Sequence, residues 1–79
     1  MGVDAKVTYR VLDEISAPHD LPEVGVKAGD RGVVLLEHEG PPPAIEVEYP
    51  DEDGVPKAFV VYTPDLGSVL GIDPEPTEL

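Results

Sequence analysis

Two histidines and an excess of carboxylates are the groups in this chain that could do chemistry. With acids around them, His19 and His38 have the ingredients of a metal site or a general base, because an imidazole titrates near neutral pH and ligates zinc readily. Both fall in or beside segments that read as loops, where a solvated side chain is the preferred reading. Asp51, Glu52 and Asp53 suggest a calcium loop, but the twelve-residue pattern needs a glutamate where Tyr62 stands. A solvated hairpin tip whose charges discourage edge-to-edge association explains those acids better. Ser68 with two distant histidines does not make a nucleophile, base and orienting acid. The sequence has no phosphate loop or dinucleotide fingerprint, and its 79 residues include no cysteine to act as a nucleophile or bind metal as thiolate. The expectation is a protein that is not an enzyme, with no catalytic residue, no metal ligand and no cofactor.

The charge balance points instead to binding. Seventeen acids against five bases give a formal charge of −12, which repels a polyanion within a Debye length of about 8 Å in physiological salt. Nucleic acid is therefore disfavoured as a partner. A basic protein fits, since complementary fields steer association and raise its rate about 10- to 1,000-fold. The plainer alternative is that the charge serves solubility alone. Apolar runs such as Ala58–Tyr62 are of strand length, far below the ~20 residues of a membrane span. The start, charged at Asp4, Lys6 and Arg10, carries no apolar signal-peptide core, so the expected location is the cytoplasm.

The elements that must position these groups read as strands. Ten prolines and eight glycines leave little room for a long helix. Ile45, Val47 and Tyr49 alternate with Glu46 and Glu48, the period of a half-buried strand. Phe59 to Thr63 are β-branched or aromatic throughout, which suits a second strand. Between them Pro50-Asp51-Glu52-Asp53-Gly54 reads as a hairpin loop. Gly32–His38 predicts another strand, turned over by the stiff, exposed Gly40-Pro41-Pro42-Pro43. Val7, Tyr9 and Val11 alternate as a first strand, broken in phase at Leu12–Ile15 as by a bulge. Thr63-Pro64-Asp65-Leu66 predicts a capped 3₁₀ turn, with Thr63 the cap, before a last short strand at Ser68–Leu70. From Ile72 to Leu79, three acids, two prolines and little apolar content predict that most of the segment frays.

This order of strand, long loop, three meandering strands, single turn and short strand is similar to an SH3-like barrel. Pro18 to Gly29 would be the long first loop, with Gly25 and Gly29 at its bends. The chain also resembles a family of small bacterial proteins grouped as domain of unknown function 4926. The residues that carry the resemblance are Val11-Leu12-Asp13, Asp20-Leu21-Pro22-Glu23, Gly25-Val26, Gly29 and Gly32-Val33-Val34. Ile45 to Tyr49, Asp53-Gly54 and Thr63 to Leu66 complete it, over roughly residues 8 to 70. The resemblance implies a barrel and brings no chemistry with it. Lys27 to Val34 further resembles the start of a KOW motif and of the barrel in nitrile hydratase β subunits. RNA-binding KOW loops are rich in lysine and arginine, however, whereas the loops here carry Glu37, Glu39, Asp51, Glu52 and Asp53.

The expected architecture is all-β: a five-stranded SH3-like antiparallel barrel over residues 8–72, a lead-in at 1–7 and an acidic flexible tail at 73–79. Its core should draw on Val11, Val33, Leu35, Ile45, Val47, Phe59, Val61 and Leu66, with Tyr49 and Tyr62 more readily core than surface. The expected function is a non-catalytic interaction module that binds or masks a basic protein. The contact would lie on His19, Asp20 and Glu23 in the long loop and Asp51, Glu52 and Asp53 at the hairpin tip. The alternatives are a self-associating structural barrel, favoured by the small core, and a KOW-like nucleic-acid binder. The last would need Lys6, Arg10, Lys27, Arg31 and Lys57 to converge on one side.

Overall fold

The structure, a computed structural model, describes residues 9–73. Five antiparallel strands follow one another in space as in sequence: β1 (Glu14–Ser16), β2 (Arg31–His38), β3 (Ala44–Pro50), β4 (Pro56–Tyr62) and β5 (Val69–Asp73). The protein is all-β, as the alternation and the breakers require. No β1–β5 pair closes it among the described residues, so the sheet has two edges.

The β3–β4 hairpin is its centre, with Val47 opposite Val60 and Tyr49 opposite Ala58. Both strands have a face built to be buried: Ile45, Val47 and Tyr49 on β3, and Ala58, Val60 and Tyr62 on β4, are all at most 2% exposed. The long loop covers that face. It is an irregular hairpin rather than a floppy excursion. Ala17 N–H donates to Asp30 O and Gly29 N–H to Ala17 O, while Leu21 and Val26 exchange both backbone bonds. Ala17, Leu21 and Val26 are thereby pressed onto the sheet as its lid. Pro22–Val24 forms a 3₁₀ turn at the tip, ended by Gly25 at φ 73°, a left-handed conformation that glycine adopts without strain.

Four of the expected core residues lie on the opposite face. Val33 and Leu35 on β2, and Phe59 and Val61 on β4, are half-buried, whereas Val34, Ala58, Val60 and Tyr62 point inward. A shift of one residue in phase exchanges the two faces of a strand. Leu66 does pack against the core, but Val11 is 44% exposed. Val11 and Leu12 sit in a turn closed by Asp13, whose N–H donates to Arg10 O and whose carboxylate accepts from Arg10 N–H. The first strand thus starts at Glu14, later than the Val7–Val11 alternation suggested; Val7 and the 1–7 lead-in are outside the described residues.

The segment before β5 also differs in form. Leu66 N–H donates to Thr63 O in a single turn, and the Thr63 hydroxyl accepts from Ser68 N–H five residues on, so it closes the loop before β5 and does not cap a first helical turn as expected. The 3₁₀ turn itself is the one at Pro22–Val24. β5 runs past Gly71 to Asp73, and Ile72 pairs with Val60 and packs on the core, so fraying does not begin at Ile72. The remainder of the expected tail, 74–79, is outside the described residues.

Candidate functional site

The acids singled out in the sequence divide into two kinds. Asp51 and Asp20 hold loops together. The Asp51 carboxylate accepts from Asp53 N–H at 2.8 Å and Val55 N–H at 3.0 Å, which fixes the hairpin loop, and Asp20 accepts from Ala28 N–H at 2.9 Å across the long loop. Asp51 is half-buried accordingly, not a freely solvated tip charge. His19, Glu23, Glu52 and Asp53 are exposed.

Lys57, at the foot of β4, donates to Gly25 O at 2.9 Å and lies 4.0 Å from Asp30. That bond fastens the long-loop tip beside the base of the hairpin. Glu23 therefore shares an end of the molecule with Glu52 and Asp53, whereas His19 and Asp20 lie further back along the loop. The sequence put all six together; the structure brings four of them to one end, Glu23, Asp51, Glu52 and Asp53, of which Asp51 is committed to holding its loop.

Lys27 and Lys57 both adjoin Asp30, the first through its backbone N–H at 3.0 Å and the second through its ammonium at 4.0 Å, while Arg10 and Arg31 are drawn to carboxylates elsewhere. Arg10 lies 4.0 Å from Glu37, Arg31 lies 3.2 Å from Glu14, and Lys57 is beside Asp30, so three of the four described bases are next to carboxylates on separate elements. Lys6 is outside the described residues. His38 lies 3.8 Å from Glu46, and no three His, Asp or Glu side chains gather at metal-binding spacing among the described residues. An open cleft of about 290 Å³ is bounded by Tyr9, Arg10, Glu37, His38, Pro43 and Pro64. Its size is at the bottom of the range for small-molecule sites.

The outer face of the sheet went unrecognised in the sequence. Register places Val33, Glu48 and Phe59 in one row across β2, β3 and β4, and Leu36, Glu46 and Val61 in the next. Each row is an aliphatic or aromatic group, a carboxylate, then another apolar group. Leu36 is 49% exposed, and the Glu46 side chain is only 19% exposed. The signal available was the unbroken apolar character of Val33–Leu36 and Phe59–Tyr62, which exceeds what one buried face needs.

Opposite it, under the lid, Tyr49 and Tyr62 meet hydroxyl to hydroxyl at 2.6 Å, both fully buried. Burial pushes both phenols above their ordinary range. For Tyr49 the Tyr62 hydroxyl and the charge of Asp30 push the same way, whereas the hydrogen bond with Tyr49 partly offsets the effect on Tyr62. The pair joins the inner faces of β3 and β4 across the core.

No family model, curated protein or solved structure matches this chain. No helix among the described residues is long and apolar enough to cross a membrane.

Proposed function

We propose that the chain is a non-catalytic interaction module that binds or masks a basic protein. The observation that carries this reading is the arrangement of charge. Three of the four described bases are paired with carboxylates, while Glu23, Glu52 and Asp53 stand exposed at one end of a molecule of net charge −12. Such a surface attracts cations and repels a polyanion, which weighs against the KOW-like alternative. A cytoplasmic location belongs to the same proposal. So does kinship with the small bacterial family that the chain resembles. The residues of that resemblance do structural work here: Leu21 is buried, Pro22 opens the 3₁₀ turn, and Gly25 ends it.

The test is capture of partners from the native host's lysate at physiological salt, followed by elution in a salt gradient. Wild type should retain basic proteins that moderate salt releases. The matching variant is Glu23→Lys with Glu52→Lys and Asp53→Lys, which spares the two aspartates that hold the loops. Unchanged retention by that variant removes the loop end from the contact, and retention of no basic protein by wild type overturns the reading.

Self-association is the second reading, and the open sheet favours it: among the described residues β1 and β5 each have one neighbour, leaving two backbone edges. It requires a mass and melting temperature that rise with protein concentration, measured by sedimentation and thermal scans.

A further inference from the structure

The outer face of β2, β3 and β4 has a chemistry of its own. Glu46 and Glu48 stand two residues apart on β3, about 7 Å along the strand, and form a carboxylate stripe down the centre of the face. Val33 and Leu36 flank it on β2, and Phe59 and Val61 on β4. Beyond Val61 the row continues to Gly71 of β5. A Cβ there would meet nothing within 4 Å among the described residues.

We propose that this face docks an amphipathic helix of a basic protein, one carrying Lys or Arg at positions i and i+4 with aliphatic residues on both sides. This rests on the basic-partner reading above and names its surface. Residues i and i+4 of a helix lie about 6 Å apart on one side, close to the spacing of the two carboxylates. Cations in that stripe meet Glu46 and Glu48 while the flanking aliphatics cover the apolar margins. The Glu46 side chain is mostly shielded from water, between Leu36 and Val61, with the His38 imidazole 3.8 Å away. A cation therefore gains more there than at an exposed rim acid. A second copy is the wrong occupant, because a two-fold stacking of this face sets Glu46 and Glu48 against their own equivalents.

The experiment uses two synthetic helical peptides of identical composition. One has a lysine stripe bordered by leucines, and the other has the same residues in scrambled order. Each is titrated into ¹⁵N-labelled protein at physiological salt. The stripe peptide should move the amides of Val33, Leu36, Glu46, Glu48, Phe59 and Val61 and bind more tightly than its isomer. Glu46→Gln with Glu48→Gln, whose unperturbed spectrum elsewhere reports an intact fold, should weaken it by roughly five- to tenfold. Shifts confined to Glu23, Glu52 and Asp53, or equal affinity for both peptides, overturn the face and leave the basic-partner reading standing. Absence of binding by either peptide also overturns the face, and lysate capture then judges the basic-partner reading separately. Concentration-dependent shifts of the six amides in protein alone replace the helix by a second copy and overturn the proposal.

Discussion

Removing one hydroxyl of the buried tyrosine pair should cost more than removing both. Tyr49 lies opposite Ala58 near one end of the hairpin's inner face and Tyr62 lies opposite Ile45 near the other, yet their hydroxyls meet at 2.6 Å with no exposure of either residue. In Tyr62→Phe the Tyr49 hydroxyl is left in the interior without its partner. An unsatisfied buried polar group costs about 1–3 kcal/mol, whereas replacing both partners by apolar groups of the same shape is nearly neutral. A domain of this size has a total stability of about 4–12 kcal/mol. A loss of about 2 kcal/mol is therefore large, and lowers Tm by roughly 8–16 °C. The assay is urea and thermal unfolding, followed by far-ultraviolet circular dichroism, of wild type, Tyr49→Phe, Tyr62→Phe and the double variant. The expected result is two costly single variants and a double variant within about 1 kcal/mol of wild type. A double variant whose loss equals the sum of the singles would show that the hydroxyls do not act as a pair, and the reasoning fails.

Three further outcomes follow from the same packing. Because burial raises both phenols in the folded state, the neutral pair contributes its full stability below the ordinary phenol value of about 10 and loses it as pH rises further. An alkaline titration should therefore show unfolding and tyrosinate absorbance rising together for Tyr49 and Tyr62, and tyrosinate formation in the still-folded protein would contradict this. Gly32→Ala should destabilise by about 1–3 kcal/mol, since an added Cβ would stand 2.7 Å from both the Tyr49 ring and the Val47 side chain; urea midpoints measure it. Asp51→Ala should cost about 1–2 kcal/mol by freeing two backbone donors of the hairpin loop, whereas Glu52→Ala should change stability by less than about 0.5 kcal/mol.

How far the sequence could be read depended on how cleanly each strand alternates. In β3, Glu46 and Glu48 mark the outward positions, so the phase of Ile45, Val47 and Tyr49 is legible and agrees with their burial. In β4 every residue from Ala58 to Tyr62 is apolar or aromatic, and nothing in the spacing says whether Phe59 or Val60 faces the core. The small residues held the answer. Gly32 and Ala58 make room for the Tyr49 ring, which fixes Tyr49 and its cross-strand partner inward and sends Phe59 out. The register shift between Val34 and Leu36 then breaks the simple two-residue count in β2. For the candidate site, exposure of Glu23, Glu52 and Asp53 was legible from their place in loops. The structural duties of Asp20 and Asp51 were not, since an aspartate that closes a turn and one that greets a partner have the same neighbours in sequence. The outer face followed only once the phase of β2 and β4 was known.

The central proposal is that this chain binds a basic protein through the outer face of β2, β3 and β4, and the most direct measurement compares three immobilised forms in one lysate at physiological salt. They are wild type, Glu46→Gln with Glu48→Gln, and Glu23→Lys with Glu52→Lys and Asp53→Lys. The account predicts a basic protein retained by wild type, released by moderate salt, and largely lost from the outer-face variant. The same proteins retained equally on all three columns, or recovery of the chain alone, would contradict it.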